Sequence, residues 1–505
     1  MPQCTIHTPW DKPQARTVQA GATLFQAMGD HAAHLDTPCG GAGRCGKCLV
    51  RAQGALSPAD SQERSALGAR LDQGFRLACR AVIRGDVEVW LTEAHQDQRI
   101  RTDGALPDFP RDPLFARYGA AIDIGTTTLA ARLYGEAGLL AQASGLNPQH
   151  TFGADVISRI QASMAGARTE LARCICQGLD KLLEEMARQA AISPADIDTL
   201  VITGNTTMLY LLTGRDPTCL SRAPFEADEL FGRFAAPGEI SLSAAPQARN
   251  YLPRCMAAFV GADTTTALLA SGLCRDSASA LLADIGTNGE LALWHGGVLS
   301  CCSTAAGPVF EGAGISQGMQ GSAGAIDHVV WRSGTLHVHT IGEGPARGIC
   351  GSGIIDGVAA LLEGGLLDES GALEDDAEAV PLTAEVTLTQ RDIRMVQLAK
   401  GAICAGIHTL LETAEIPARQ PDRLAIAGGF GSYLDLGSAA RIGLIPPALA
   451  EKGESLGNAA LTGACMLLLN QAFLEESGTL ARQAQVVELS ANPIFAKHYI
   501  DAMSF

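Results

Sequence analysis

The chain has 505 residues, 47% of them apolar and 18% charged, which excludes a disordered or fibrous protein and asks for several domains rather than one. A formal net charge of −17 argues against a nucleic-acid partner, because phosphate recognition needs clustered lysine and arginine. The N-terminus has no basic stretch leading into an apolar one, and the most apolar late segment, Ala459 to Leu474, is broken by Thr462, Gly463, Asn470 and Gln471. Neither a secretory signal nor a membrane span is expected; that segment reads as a buried helix, and the setting as reducing and cytoplasmic.

In chain order, Thr17 to Ala20 reads as a strand, Thr23 to Met28 as a short helix and Asp86 to Leu91 as an alternating strand. Between them lie Cys39, Cys45 and Cys48 in the pattern C-x5-C-x2-C, with Cys79 following in Phe75-Arg-Leu-Ala-Cys79. Gly40, Gly41, Gly43 and Gly46 permit the tight turns by which backbone N–H groups approach an anionic iron–sulfur cluster, and soft thiolates suit iron. The spacing resembles that of [2Fe–2S] ferredoxins, nearer the adrenodoxin-like variant in its first gap. A structural zinc site is disfavoured because such sites use two C-x2-C knuckles. Arg44, Lys47, Arg76 and Arg80 flank the cysteines, as charge compensation or as a docking patch for an acidic redox partner. The other eleven cysteines, including Cys174, Cys176, Cys301, Cys302 and Cys350, lack metal spacing and are expected in the core or at the surface.

Residues 96–117, with Pro107, Pro110 and Pro113 and no apolar period, read as a linker. Then Ala120 to Tyr134 reads as strand, turn, strand with Asp123-Ile-Gly125-Thr126-Thr127 at the turn, and the design returns 161 residues later as Asp284-Ile-Gly286-Thr287-Asn288 within Ala280 to Trp294. A second element repeats as well. Asp198 to Thr207 and Asp422 to Gly431 are each a buried strand entering a glycine loop. Turns of this kind present backbone N–H groups and hydroxyls to phosphates, and a strand-end aspartate can hold hydrated Mg²⁺ or orient water. Gly428, Gly429, Phe430 and Gly431 would lie against the adenosine. The arrangement resembles the ATPases of the actin, Hsp70 and sugar-kinase group.

The two halves together narrow the field. Ala121 to Thr128, Asn147 to Ile160, Ile202 to Met208, Phe259 to Asp263, Asp284 to Glu290, Gly307 to Gly312, Gly348 to Gly353 and Ala427 to Gly431 resemble the reductive activators of corrinoid proteins, and the likeness covers almost the whole chain. It implies an α/β and α+β multidomain protein: a β-grasp [2Fe–2S] domain over 1–95, a linker over 96–117, and a duplicated RNase H-like ATPase fold with lobes over 118–214 and 215–505. It further implies Cys39, Cys45, Cys48 and Cys79 as cluster ligands, and ATP and Mg²⁺ as cofactors. Asp123, Asp263 and Asp284 would be catalytic acids, with Gly125, Thr126, Thr127, Gly286, Thr287 and Asn288 at the phosphates.

In such proteins ATP hydrolysis drives delivery of one electron to a methyltransferase corrinoid protein, returning Co(II) to Co(I). Plant-type clusters sit near about −400 mV, and the cobalt couple is lower, so the transfer needs a nucleotide-driven change. The resemblance also implies an external low-potential donor, a homodimer and a place in a system such as O-demethylation. Asp263 could be an N-cap after a strand over 257–261 or could orient the hydrolytic water. Glu290 and Glu311 are weaker acidic candidates, Gly348 to Gly353 forms a loop and helix N-terminus near the nucleotide, and His150 is the one histidine in a notable motif. Two other readings are a small-molecule kinase of the same fold with a redox-sensing ferredoxin domain, and an activator of a 2-hydroxyacyl-CoA dehydratase. The first needs a sugar-pocket base that is not identifiable, and the second uses a [4Fe–4S] cluster between two subunits. An actin-like filament has no use for a low-potential cluster.

Overall fold

The computed structural model describes residues 1–8, 12–29, 31, 35, 43, 48–91, 105–153, 155–275, 278–342, 344–428 and 433–505. They form two compact units: Met1–Gln98 with Pro148–Ala162, and Arg99–Asn147 with Ser163–Phe505.

The first unit is built on a sheet of β1 (Gln3–His7), β2 (Gln14–Thr17), β3 (Leu49–Leu56), β4 (Phe75–Leu77) and β5 (Ile83–Trp90), in the order β2-β1-β5-β3-β4. Alternation decides which face is buried: Cys4 and Ile6 of β1 and Ile83, Val87 and Val89 of β5 enter one core. The helix Leu24–Met28 starts from a capping box in which the Thr23 hydroxyl accepts from Gln26 N (3.2 Å) and Gln26 Oε1 accepts from Thr23 N (3.0 Å). The strand expected over Thr17–Ala20 lies earlier, because β2 pairs with β1 from Gln14 to Thr17 and the chain then turns at Gly21, whose φ is 93°. Segment 148–162 belongs to this unit, where the His150 ring meets Phe25 edge-on at 6.2 Å.

Arg76 and Arg80 do not offer a free positive patch for an acidic partner. Arg76 donates to both oxygens of Glu63 (2.8 and 2.9 Å), which is 1% exposed and also accepts from Leu77 N. Arg80 is bound to Asp60, the N-cap of the helix Ser61–Leu67. Both cations are engaged inside the unit; Arg44 and Lys47 lie outside the described residues. Glu63→Ala would leave the Arg76 charge uncompensated, and such losses cost about 3–5 kcal/mol. We expect the earliest thermal transition of the full chain to fall markedly, read by far-UV circular dichroism on heating; an unchanged transition would refute this.

The second unit contains a repeat. Its first sheet consists of β6 (Tyr118–Ile124), β7 (Thr128–Gly135), β8 (Gly138–Leu146), β9 (Ile197–Gly204), β10 (Arg233–Phe234) and β11 (Arg249–Leu252), in the order β10-β11-β9-β6-β7-β8. Its second has β12 (Ala280–Ile285), β13 (Gly289–His295) and β14 (Val298–Thr304). Two small sheets follow: β15 (Ala325–Arg332), β16 (Thr335–Thr340) and β17 (Gly348–Ile349), then β18 (Ala379–Pro381) with β19 (Thr387–Thr389). The second large sheet is completed by β20 (Arg423–Ala427), β21 (Gly453–Gly457) and β22 (Gln485–Val486), giving β21-β20-β12-β13-β14-β22. In both sheets an antiparallel three-strand meander is followed, across its first strand, by parallel strands: β9 then β11, and β20 then β21. The first sheet draws residues from both sides of position 214, where the first lobe is expected to end.

The helix Ala262–Ser271 packs on the second sheet, whereas Ala459–Leu469, apolar all round and buried throughout, packs on the first. They touch so closely that a Cβ on Gly463 would overlap the carbonyl of Thr266. The helix stops at Asn470, short of the expected Leu474, and Ala472–Gln483 follows as a separate helix. The described part of the expected linker is not free chain either. Leu106, Phe109, Leu114 and Phe115 pack beside Ala459–Leu469, with Asp112 N and Leu114 N donating to the carbonyls of Leu469 and Leu468. Among the described residues no helix is long and apolar enough to cross a membrane.

Candidate functional site

The two repeated turns are built alike. Gly125 N donates to Thr128 O (2.9 Å) and Gly286 N to Asn288 O (3.0 Å), so each glycine N–H closes its own turn. A Cβ at Gly125 would meet Thr128 O at 2.9 Å, so glycine is there for the tightness of the turn. Each aspartate sits at the end of its strand beside a glycine of the adjacent parallel strand. A Cβ on Gly204 would meet Ile124 O at 2.7 Å, and one on Gly428, whose φ is 94°, would meet Ile285 O at 2.9 Å and Asp284 Oδ1 at 2.7 Å. The glycines let the neighbouring backbone close against the residue that follows each aspartate.

The acids gather in the partly exposed cleft between these turns. Burial raises Asp123 to about 7, opposed by a hydrogen bond from Asn458 Nδ2 (3.0 Å) and reinforced by the charge of Asp263. Asp284 is likewise raised to about 7 by burial, then by Asp263 and Asp123. Asp263 is raised to about 6, again chiefly by burial. It is neither an N-cap nor preceded by a strand: residues 257–261 form a tight loop in which Met256 N and Ala257 N both donate to Val260 O, and Gly261 caps the helix. Glu290 stands directly opposite Asp284 in the β12–β13 ladder and is pushed well above the usual carboxylate range, by burial first and then by Asp263 and Asp284. Like charges set opposite one another destabilise a hairpin, so the two carboxyls resist being ionised together.

Hydroxyls and amides complete the cleft. Asn205 caps the helix Thr206–Leu212 through Met208 N (3.0 Å) and donates to Thr126 Oγ1 (3.2 Å). Asn458 caps Ala459–Leu469 through Leu461 N (2.8 Å) while holding Asp123. Glu311, in the single turn Pro308–Glu311, accepts from Thr127 Oγ1 at 2.8 Å and from Thr287 Oγ1 at 2.7 Å. Asn205 and Asn458 were the residues missed in the sequence; the signal was the Gly-Asn pair at a strand-to-helix junction, Gly204-Asn205 and Gly457-Asn458. Gly348 and Ile349 form β17, and Gly351–Glu363 is a helix with Cys350 as its N-cap. Gly429, Phe430 and Gly431 lie outside the described residues.

In the first unit Cys48, 1% exposed, and Cys79 bring their sulfurs within 3.2 Å, close enough to share one iron; Cys39 and Cys45 lie outside the described residues. Cys48 stands at the start of β3 and Cys79 just after β4, held together because Ala78 N donates to Cys48 O (2.8 Å). Cys301, Cys302 and Cys350 are buried in the second unit, and among the described residues no group of three or more His, Cys, Asp or Glu has metal-binding geometry. Cys176 is buried on the helix Arg168–Ala190 and Cys174 half-buried.

Comparison with known proteins agrees with this geometry. Residues 278–505 match the family described as the C-terminal domain of RACo, the ASKHA domain; residues 118–276 match the RACo middle region, and residues 9–84 the 2Fe-2S iron-sulfur cluster binding domain. The corrinoid activation enzyme RamQ of Eubacterium limosum is 36% identical over 421 residues, 76% of this chain and 69% of the relative. The [Co(II) methylated amine-specific corrinoid protein] reductase of Methanosarcina barkeri is 25% identical over 422 residues, 77% of each chain. The solved structure of a reductive activator for corrinoid, iron-sulfur protein superposes over 100% of this chain and 98% of its own, with a TM-score of 0.70 and 26% identity. The chain belongs to the family of reductive activators of corrinoid proteins.

Proposed function

We propose that this chain is an ATP-dependent reductive activator that returns the Co(II) corrinoid of a methyltransferase corrinoid protein to Co(I). The observation that carries the reading is the presence on one chain of a paired-cysteine ferredoxin sheet and a duplicated aspartate-turn cleft. A [2Fe–2S] cluster held by Cys39, Cys45, Cys48 and Cys79 supplies single low-potential electrons.

Asp123 and Asp284 orient the water shell of a Mg²⁺ ion, which the crowding of Asp123, Asp263, Asp284 and Glu290 favours because a dication restores their ionised forms. The hydroxyls of Thr126, Thr127 and Thr287, the Asn288 side chain and the turns shaped by Gly125 and Gly286 face the phosphates. Asp263, fixed by Thr264 N at 2.8 Å, orients the attacking water. Gly428, with the chain that follows through Gly429, Phe430 and Gly431, accommodates the adenosine. Asn458 ties Asp123, on the first sheet, to the start of Ala459–Leu469, so closure on nucleotide at one turn is felt along that helix.

Domain boundaries near 95 and 117, an external low-potential donor, a homodimer and a cytoplasmic O-demethylation system complete the proposal, and they rest on the family resemblance. The test is optical. The reduced protein, mixed with ATP and a Co(II) corrinoid protein, is expected to produce the Co(I) absorption spectrum, and omission of ATP is expected to abolish it. Absence of Co(I) with every corrinoid protein tried would refute the reading.

A further inference from the structure

Among the described residues, Glu311 is the one carboxylate in the cleft that bonds to both repeated turns. Its two oxygens accept from Thr127 Oγ1 (2.8 Å) and Thr287 Oγ1 (2.7 Å), hydroxyls carried by turns of two different sheets. It comes close to the second turn's backbone as well, since a Cβ on Gly286 would lie 3.8 Å from Glu311 Oε1. The single turn that carries it is held firmly: Gly312 N donates to Val309 O (2.9 Å), a Cβ at Gly312 would meet Met319 O at 2.7 Å, and the adjoining Val309 and Phe310 are buried. An anionic group presenting two acceptor oxygens between two opposed hydroxyl donors has the hydrogen-bonding character of a phosphate.

We propose that Glu311 is the residue through which the cleft reads the terminal phosphate of its nucleotide: its carboxylate holds the hydroxyls of Thr127 and Thr287 together and competes with that phosphate for both. The inference rests on the reading of the cleft as an ATP site and names how that site senses that a triphosphate has reached the turns, at a cost in affinity that a shorter nucleotide does not meet. A phosphoryl oxygen that takes the two hydroxyls must displace the carboxylate, and the two negative groups repel one another at short range. The bridge between the turns is then made by nucleotide instead of by protein. Adenosine and AMP, which do not extend to the turns, leave it in place. Glu311 is thus a positioning residue, since it acts through the two threonines.

The experiment compares full-length wild-type protein with Glu311→Ala and Glu311→Gln, using AMP, ADP and a non-hydrolysable ATP analogue, each with Mg²⁺. Glutamine keeps an acceptor for one threonine and a donor for the other while removing the charge. Glu311→Ala is expected to bind the ATP analogue about tenfold more tightly while AMP binding stays put, a factor of ten corresponding to about 1.4 kcal/mol. Amide hydrogen exchange without nucleotide should rise in both turns, 124–128 and 285–288, in Glu311→Ala and stay low in Glu311→Gln. The glutamine variant should fall between the other two in affinity for the analogue.

Equal shifts for AMP and the analogue, or unchanged exchange in both turns of Glu311→Ala, would overturn the proposal. Weaker binding of the analogue would also overturn it, by showing that Glu311 belongs to the bound complex. If Glu311→Ala does not fold, Glu311→Gln decides alone: its affinity for the analogue must rise relative to AMP, and an equal or lower affinity overturns the proposal. Failure of the wild-type protein to bind any of the three nucleotides would instead bring down the ATP-site reading, and this inference with it.

Discussion

Asp284→Asn is expected to lower ATP hydrolysis and Co(I) formation by at least ~10–100-fold, the usual penalty for disturbing the residues around a catalytic metal, while raising the melting temperature above pH 7. The two effects have one cause. Burial, then Asp263 and Asp123, raise Asp284 to about 7, and Glu290 faces it across the hairpin. A carboxyl whose folded value lies above its unfolded value of 3.8 costs stability at pH values above the folded one. The cost fades as pH falls through 7 and is gone below the unfolded value. Asparagine removes the charge without changing the shape, so its advantage should be largest near pH 8 and small near pH 5. Phosphate release and calorimetry of the metal-free protein at both pH values check this. Near-normal hydrolysis, or a lower melting temperature at pH 8, would show that Asp284 is a structural residue.

Cys79→Ser is expected to separate the chain's two chemistries. The Cys79 sulfur lies 3.2 Å from that of Cys48, and serine replaces a soft thiolate with a hard oxygen that suits iron–sulfur ligation poorly. We expect loss of the reduced-cluster EPR signal and no detectable Co(I), with binding of the Mg²⁺–ATP analogue within about twofold of wild type. The last expectation follows because the residues proposed to hold the nucleotide belong to the other compact unit. A variant that keeps a full [2Fe–2S] signal would show that another residue ligates in place of Cys79. One that loses nucleotide binding as well would show that the second unit needs the cluster to fold.

Much of this was legible because the two halves repeat. Asp123 and Asp284 could be found from the turn pattern, and Gly204 and Gly428 from the strands that end beside them, since tight backbone packing leaves a glycine in the sequence. What escaped was whatever depends on which surfaces meet. Asn458 is marked by the repeated Gly-Asn pair only as an N-cap, and nothing local announces its bond to Asp123, 335 residues away in sequence. Glu311 could be named only as a weaker acidic candidate, because the threonines on either side of it lie 184 and 24 residues away in sequence. Residues 105–117 read as linker because Leu106, Phe109, Leu114 and Phe115 keep no period, yet irregular chain can pack well when another element supplies the surface. The strand expected over 17–20 is displaced to Gln14–Thr17 and that over 257–261 is absent for a related reason: apolar residues in a short run are equally at home in a turn whose N–H groups find partners nearby.

The assignment of Pro148–Ala162 to the first unit, although Asn147 and Ser163 both belong to the second, changes how the molecule can be dissected. A gene split ahead of residue 105 would yield an N-terminal fragment lacking the stretch that carries His150, and a C-terminal fragment carrying that stretch cut off from Phe25 and its neighbours. Neither piece would be a faithful copy of its unit. Asn147 Nδ2 donates to the carbonyl of Gly125 at 2.8 Å, so the residue that precedes Pro148 is tied to the first aspartate turn. Truncation studies of this protein should therefore append residues 148–162 to the N-terminal fragment through a designed linker, or keep the chain whole.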